Sequence, residues 1–228
     1  MSGVTGPLLV AAGVATAVTL VSVFLPASAV GTAVAMIFFA ATWATVWRLD
    51  DDTAERYGLA VGGLALRRTI NWTRLGRDGL HGLLWALGAA LVTFVPFYVG
   101  WRVWWAPTQQ FTWSWPGLLN DATGQLLVVA LPEEAFFRGY LQTRFDEELA
   151  PRVRLLGARV GWGLVLTSAI FALGHVLTVH RGTRLAVFFP SLLFGWLRAR
   201  TGGIGASVAF HALCNLFSEA LGRGFGAY

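Results

Sequence analysis

Long apolar blocks, separated by short stretches in which the arginines collect, constrain this chain more than any other feature. The run from Leu8 to Leu25 holds no charged residue, and neither does the run from Ala27 to Trp47. A hydrocarbon core of about 30 Å takes roughly 20 helical residues to cross. Blocks of that length predict spans at about 7–25, 28–47, 80–101, 120–143, 160–179, 184–198 and 203–221. The fold class expected is an all-α membrane protein, a polytopic bundle of about seven transmembrane helices forming a single integral membrane domain over residues 1–228. The sixth span is short and contains Pro190, which predicts a tilted or kinked segment.

Composition agrees with the block pattern. Of 228 residues, 56% are hydrophobic and 13% charged, too few charges to coat a soluble domain of this size. The Leu8–Leu25 block followed by Pro26-Ala27-Ser28-Ala29 resembles a secretory signal, but it lacks a basic leader and its apolar run is long, so it is read as a retained first span. All 17 basic residues are arginine, a usage expected of a GC-rich bacterial genome. The net charge of +5 does not point to nucleic acid, because the arginines sit between hydrophobic blocks, where they set membrane orientation. Segments 48–79 and 144–159, with Arg198 and Arg200, carry most of them; by the positive-inside rule these connections and the N-terminus are cytoplasmic and the C-terminus is outside. Arg181 and Arg184 fall on the outer side and strain that arrangement. The 48–79 segment is expected to lie along the membrane surface, and the tryptophans at 101, 104, 105, 113 and 115 to form an interfacial belt. The localisation implied is a cell membrane, multi-pass, of the bacterial inner-membrane kind, with the lipid bilayer as a partner.

Ionisable groups inside apolar helices are costly and are functional-site candidates by default. Glu133, Glu134 and Arg138 sit in Leu131-Pro-Glu-Glu-Ala-Phe-Phe-Arg-Gly-Tyr140. Glu134 and Arg138 are four apart and share a helix face, placed to neutralise each other, whereas Glu133 points about 100° away. His175 follows Phe171 by one turn in an otherwise apolar helix, and His211 shares a face with Asn215. A glutamate and a histidine converging on a water would act as general base. A histidine and an amide on one face would stabilise an oxyanion. No G-x-S-G, H-E-x-x-H or G-x-G-D motif is present. Three ligands from Glu133, His175 and His211 plus water would also suit zinc, so a zinc-dependent protease stays open, as does a non-catalytic membrane immunity or binding protein. A proton-coupled transporter fits the buried Glu and His but not the small number of spans. Cys214 is the one cysteine, so no internal disulfide forms, and it points off the His211–Asn215 face. Counted from the cytoplasmic connections, Glu133 and His211 would lie about 16 Å deep and His175 about 24 Å deep, a mismatch for a shared centre.

The ordered trio E-E-x-x-x-R (Glu133, Glu134, Arg138), F-x-x-x-H (Phe171, His175) and H-x-x-x-N (His211, Asn215) resembles the CPBP family of CaaX proteases and bacteriocin-processing proteins. The resemblance covers about residues 120–220 and includes bacterial sorting enzymes of the myxosortase type. It implies a glutamate-type intramembrane endopeptidase without metal or other cofactor. In it Glu133 and His175 activate water, His211 and Asn215 stabilise the oxyanion, and Glu134, Arg138 and Phe171 support them. The partner implied is a protein or peptide substrate in the membrane.

Overall fold

The computed structural model describes residues 3–227 as a bundle of long helices with one small hairpin. The helical membrane architecture is as expected, and four helices are long and apolar enough to cross a bilayer: α1 (Thr5–Phe24), α2 (Ala27–Trp47), α4 (Trp72–Trp105) and α6 (Trp162–Val179). Three more occupy the remaining predicted blocks: α5 (118–149), α7 (Phe188–Thr201) and α8 (Gly205–Gly224). Helices α5 and α8 carry motif residues, as α6 does, and α7, only 14 residues long, carries their partners Ser191 and Phe194. A short α3 (Asp51–Arg56) lies between α2 and α4.

Several boundaries differ from those predicted, each for a local reason. The third span is the middle of a 34-residue helix, started by Asn71, whose side chain accepts from the Arg74 amide, and ended by Ala106 in a left-handed conformation. The sixth is preceded by a tight helical turn over Gly182–Val187, and Pro190 falls in the first turn of α7, where its missing N–H costs nothing. The fifth begins at Trp162 because the chain ahead of it forms a hairpin of β1 (Val153–Leu155) and β2 (Ala158–Val160), turning at Leu156-Gly157. Helix α5 winds loosely over Gln125–Ala130 and again over Ala135–Gln142. Pro132 cannot donate to the carbonyl one turn back, which accounts for the first widened stretch.

The three arginine-rich connections meet at one end of the bundle. Tyr57 donates to Glu147, Arg198 donates to the Arg56 carbonyl and to Thr143, and the Ile204 amide donates to the Gly58 carbonyl. The 48–79 segment is therefore a folded cap on the helix ends, and its last residues form the start of α4. Arg74 pairs with Glu55 at 2.8 Å, and that contact holds the Glu55 carboxyl below its ordinary range. At the opposite end the tryptophan-rich connection packs on the C-terminus: Thr112 donates to Gly224 and Arg223 pairs with Asp121. Trp104, Trp105 and Trp113 are exposed there, as a belt requires, but Trp101 and Trp115 are buried, Trp101 against Phe225.

The bundle core is aromatic around α5. Phe136, Phe137 and Tyr140 pack on Phe38 of α2 and Phe171 of α6, while Phe194 of α7 and Phe210 of α8 close the other side. Leu59 of the cap sits over Gly139, where a methyl group would collide with it.

Candidate active site

Helix α5 enters this core with its charged turn intact, and the surroundings supply what each charge needs. Glu134 and Arg138 are both fully buried, with Glu134 Oε1 3.1 Å from Arg138 Nη1. The i,i+4 pairing read from the sequence is present, but it is one link in a longer chain. The Arg138 Nη2 donates to Ser191 Oγ at 2.7 Å and reaches the Ser191 carbonyl at 3.3 Å. Its guanidinium carbon stands 4.5 Å from the Phe171 ring centre and 5.1 Å from that of Phe194, so two ring faces replace the water that a cation this deep lacks. One turn further on, Gln142 donates to the Gly195 carbonyl, a second link between α5 and α7.

Glu134 has a further partner that spacing could not predict. The same Oε1 lies 2.9 Å from His211 Nδ1. A carboxylate only accepts, so Nδ1 carries a proton and donates it to Glu134, which leaves Nε2 on the side away from that bond. That Nε2 faces Glu133 Oε2 at 4.0 Å, beyond hydrogen-bond reach and within range of electrostatic attraction if the ring is charged. Phe194 stacks on the His211 imidazole at 4.7 Å and 15°, and the Phe171 ring meets it edge-on at 5.9 Å. Glu134 thus orients a histidine as well as holding an arginine.

Glu133, one 100° step round α5 from Glu134, lines a cavity of about 380 Å³ between α1, α2, α5 and α6. Its Oε2 is buried without a hydrogen-bond partner. His175 lines the same cavity. The His175 Nδ1 lies 3.0 Å from the Phe171 carbonyl, which fixes the proton on Nδ1 and leaves Nε2 with its lone pair. The depth mismatch expected from helix counting does not keep Glu133 and His175 apart; the later start of α6 removes about 3 Å of it.

Asn215 is not gathered with these groups. Its Nδ2 donates to Gln125 Oε1 at 2.8 Å, and neither Asn215 nor His211 lines the cavity. His211 and Asn215 share a helix side but bond to different turns of α5, Glu134 and Gln125. Cys214 is partly buried, and none of the motif side chains is bonded to it. Among the described residues no three His, Cys, Asp or Glu side chains converge as a metal would require, so the set Glu133, His175 and His211 is not assembled for one here.

The geometry can be set beside known proteins. Residues 115–217 match the model of the family described as Rce1-like, type II CAAX prenyl endopeptidase. The matched segment, a little under half of the chain, runs from Trp115 past Asn215 and contains all three motifs; it is similar to this family, and the likeness indicates protease activity in general. No curated protein and no solved structure matches it.

Four residues that organise the cluster were not singled out from the sequence. Ser191, Phe194, Gln125 and Gln142 are ordinary helix residues until α7 and α8 are laid against α5. Only Gln125 and Gln142, polar within an apolar block, offered a hint.

Proposed function

We propose that the chain is a glutamate-type intramembrane endopeptidase acting on a membrane-anchored protein, with Glu133 as general base. One observation carries the proposal: Glu133, one of whose oxygens has no hydrogen-bond partner, and His175, with a free basic nitrogen, line one cavity. A water held between them would lose its proton to Glu133 as its oxygen adds to the scissile carbonyl. Glu133 or His175 then passes that proton to the leaving nitrogen as the C–N bond breaks, so the enzyme ends in its starting state. The family resemblance gives His211 and Asn215 the task of holding the oxyanion. With Nδ1–H committed to Glu134, His211 can take that role only through a protonated Nε2, the ring nitrogen on the Glu133 side, which would then donate. For Asn215, the Gln125 contact uses one of its two amide hydrogens and leaves the other to donate. Arg138, with Ser191, Phe171 and Phe194, fixes Glu134, and Glu134 fixes the His211 ring.

The arginine distribution supports a bacterial inner membrane with the 48–79 cap in the cytoplasm. The test is complementation in cells lacking the protein, read by membrane proteomics for proteins that keep a terminal segment. Glu133→Gln and His175→Ala are each expected to insert and fold normally yet leave those segments uncut. Full processing by either variant would overturn the assignment of Glu133 and His175, and persistence of every effect in Glu133→Gln would point to a non-catalytic role.

A further inference from the structure

The cavity holding Glu133 and His175 is displaced towards one end of the bundle. Its walls lie within residues 11–22 of α1, 30–38 of α2, 128–137 of α5 and 170–179 of α6. Helix α1 starts at the arginine-rich end and stops at Phe24; α2 begins at Ala27; α6 stops at Val179. Three of the four walls therefore run to, or within a few residues of, the helix ends opposite the arginine-rich connections. The wall along α1 is about 17 Å long, a little over half of a hydrocarbon core. Gly31 and Gly174 line it from α2 and α6, and each has open space where a side chain would begin.

The chemistry of the walls narrows what can enter. Among the described residues, Glu133 and His175 are the only ionisable ones in its lining. Ser22 and Thr178, near the outer limit, spend their hydroxyls on carbonyls of their own helices. The channel has no group to recognise a charged chain, yet its wall includes the Glu133 carboxyl, 13% exposed. A lipid tail would leave that carboxyl without a hydrogen-bonding partner. An unwound apolar peptide brings side chains for the walls together with amides, and room for water, at Glu133.

We infer that the substrate is the apolar transmembrane segment of another protein, admitted between α1, α2 and α6 from the end opposite the arginine-rich connections. By the positive-inside rule that end is extracytoplasmic, so the bond cut lies in the outer half of the bilayer. The inference rests on the endopeptidase reading for its chemistry, but its geometry is testable without activity. In a Cys214→Ser background, Ser22→Cys and Thr178→Cys are exposed to a membrane-impermeant maleimide in intact cells and in inverted vesicles, with Asp52→Cys in the cap as the cytoplasmic reference. The cavity cysteines are expected to react in intact cells, where the reference does not. Reaction only from the reference side, or from neither side, overturns the inference. Proteomics of cells lacking the protein supplies the second arm, in which retained segments are expected to lie in or beyond the outer leaflet. Retention confined to cytoplasmic ends overturns the route while sparing the endopeptidase reading, and outward labelling with no retained segment in any protein overturns both that reading and the substrate inferred from it.

Discussion

Replacing Arg138 by methionine tests the central structural claim, that one buried guanidinium organises the cluster. Arg138 is fully buried, pairs with the equally buried Glu134 at 3.1 Å, donates to Ser191 and lies between two aromatic rings. Methionine fills similar volume without charge, so the dominant loss is electrostatic: Glu134 keeps a buried carboxylate with His211 as its one remaining partner. Breaking a buried pair from one side costs about 3–5 kcal/mol. Removing the charge from both sides costs much less, because no unpaired ion is left behind. The double variant Glu134→Gln/Arg138→Met keeps an acceptor for His211 Nδ1 and is expected to lose only about 1–2 kcal/mol. The measurement is reversible unfolding in detergent micelles of the parent, both single variants and the double variant. A cycle with the double variant more stable than Arg138→Met supports the argument. A loss below about 1 kcal/mol in Arg138→Met, or a double variant as unstable as the sum of the singles, would refute it.

Other outcomes follow from particular contacts. Gln125→Leu removes the acceptor of Asn215 and leaves its amide free to rotate, so processing is expected to fall about tenfold while unfolding changes by about 1 kcal/mol; unchanged processing would separate that pair from the reaction. Gly195→Ala would press a methyl group against Leu164 and the Gln142 amide, and is expected to destabilise by about 1–3 kcal/mol in a thermal melt. Asp146, at the arginine-rich end of α5 beyond the predicted span, has its carboxyl pushed up to about 6 by burial, against the attraction of Arg198. A carboxyl raised above its unfolded value favours the folded state when protonated, so stability should decline as pH rises from about 4 to 6 and level off above that. Asp146→Asn should flatten that slope in unfolding measured across pH, and a slope unchanged in the variant would assign it to another group.

The candidate site was legible in the sequence to the extent that local periodicity controls it. Glu134 and Arg138 had to share a face at four residues' separation, and Glu133 had to leave it; both hold because a helix permits little else. The apolar blocks likewise dictated long helices, and the arginine clusters anticipated which connections meet at one end. Local rules could not supply the pairings between helices. Glu134 was assigned to Arg138 alone, yet it also orients His211, because α8 is packed one turn from α5 at that level. Asn215, grouped with His211 by spacing, turns to Gln125 instead. The depth count set His175 apart from Glu133, yet both line one cavity, and the hairpin that delays the start of α6 accounts for about 3 Å of that count. What the sequence determined by itself was a set of membrane helices and the face on which each polar group would lie, since apolar block length and a 3.6-residue turn are local properties. Tertiary packing alone decided which carboxylate would hold the arginine and histidine, which would stand unpartnered in a cavity, and towards which end of the bundle that cavity runs, since those depend on contacts between residues as far apart as 133 and 211.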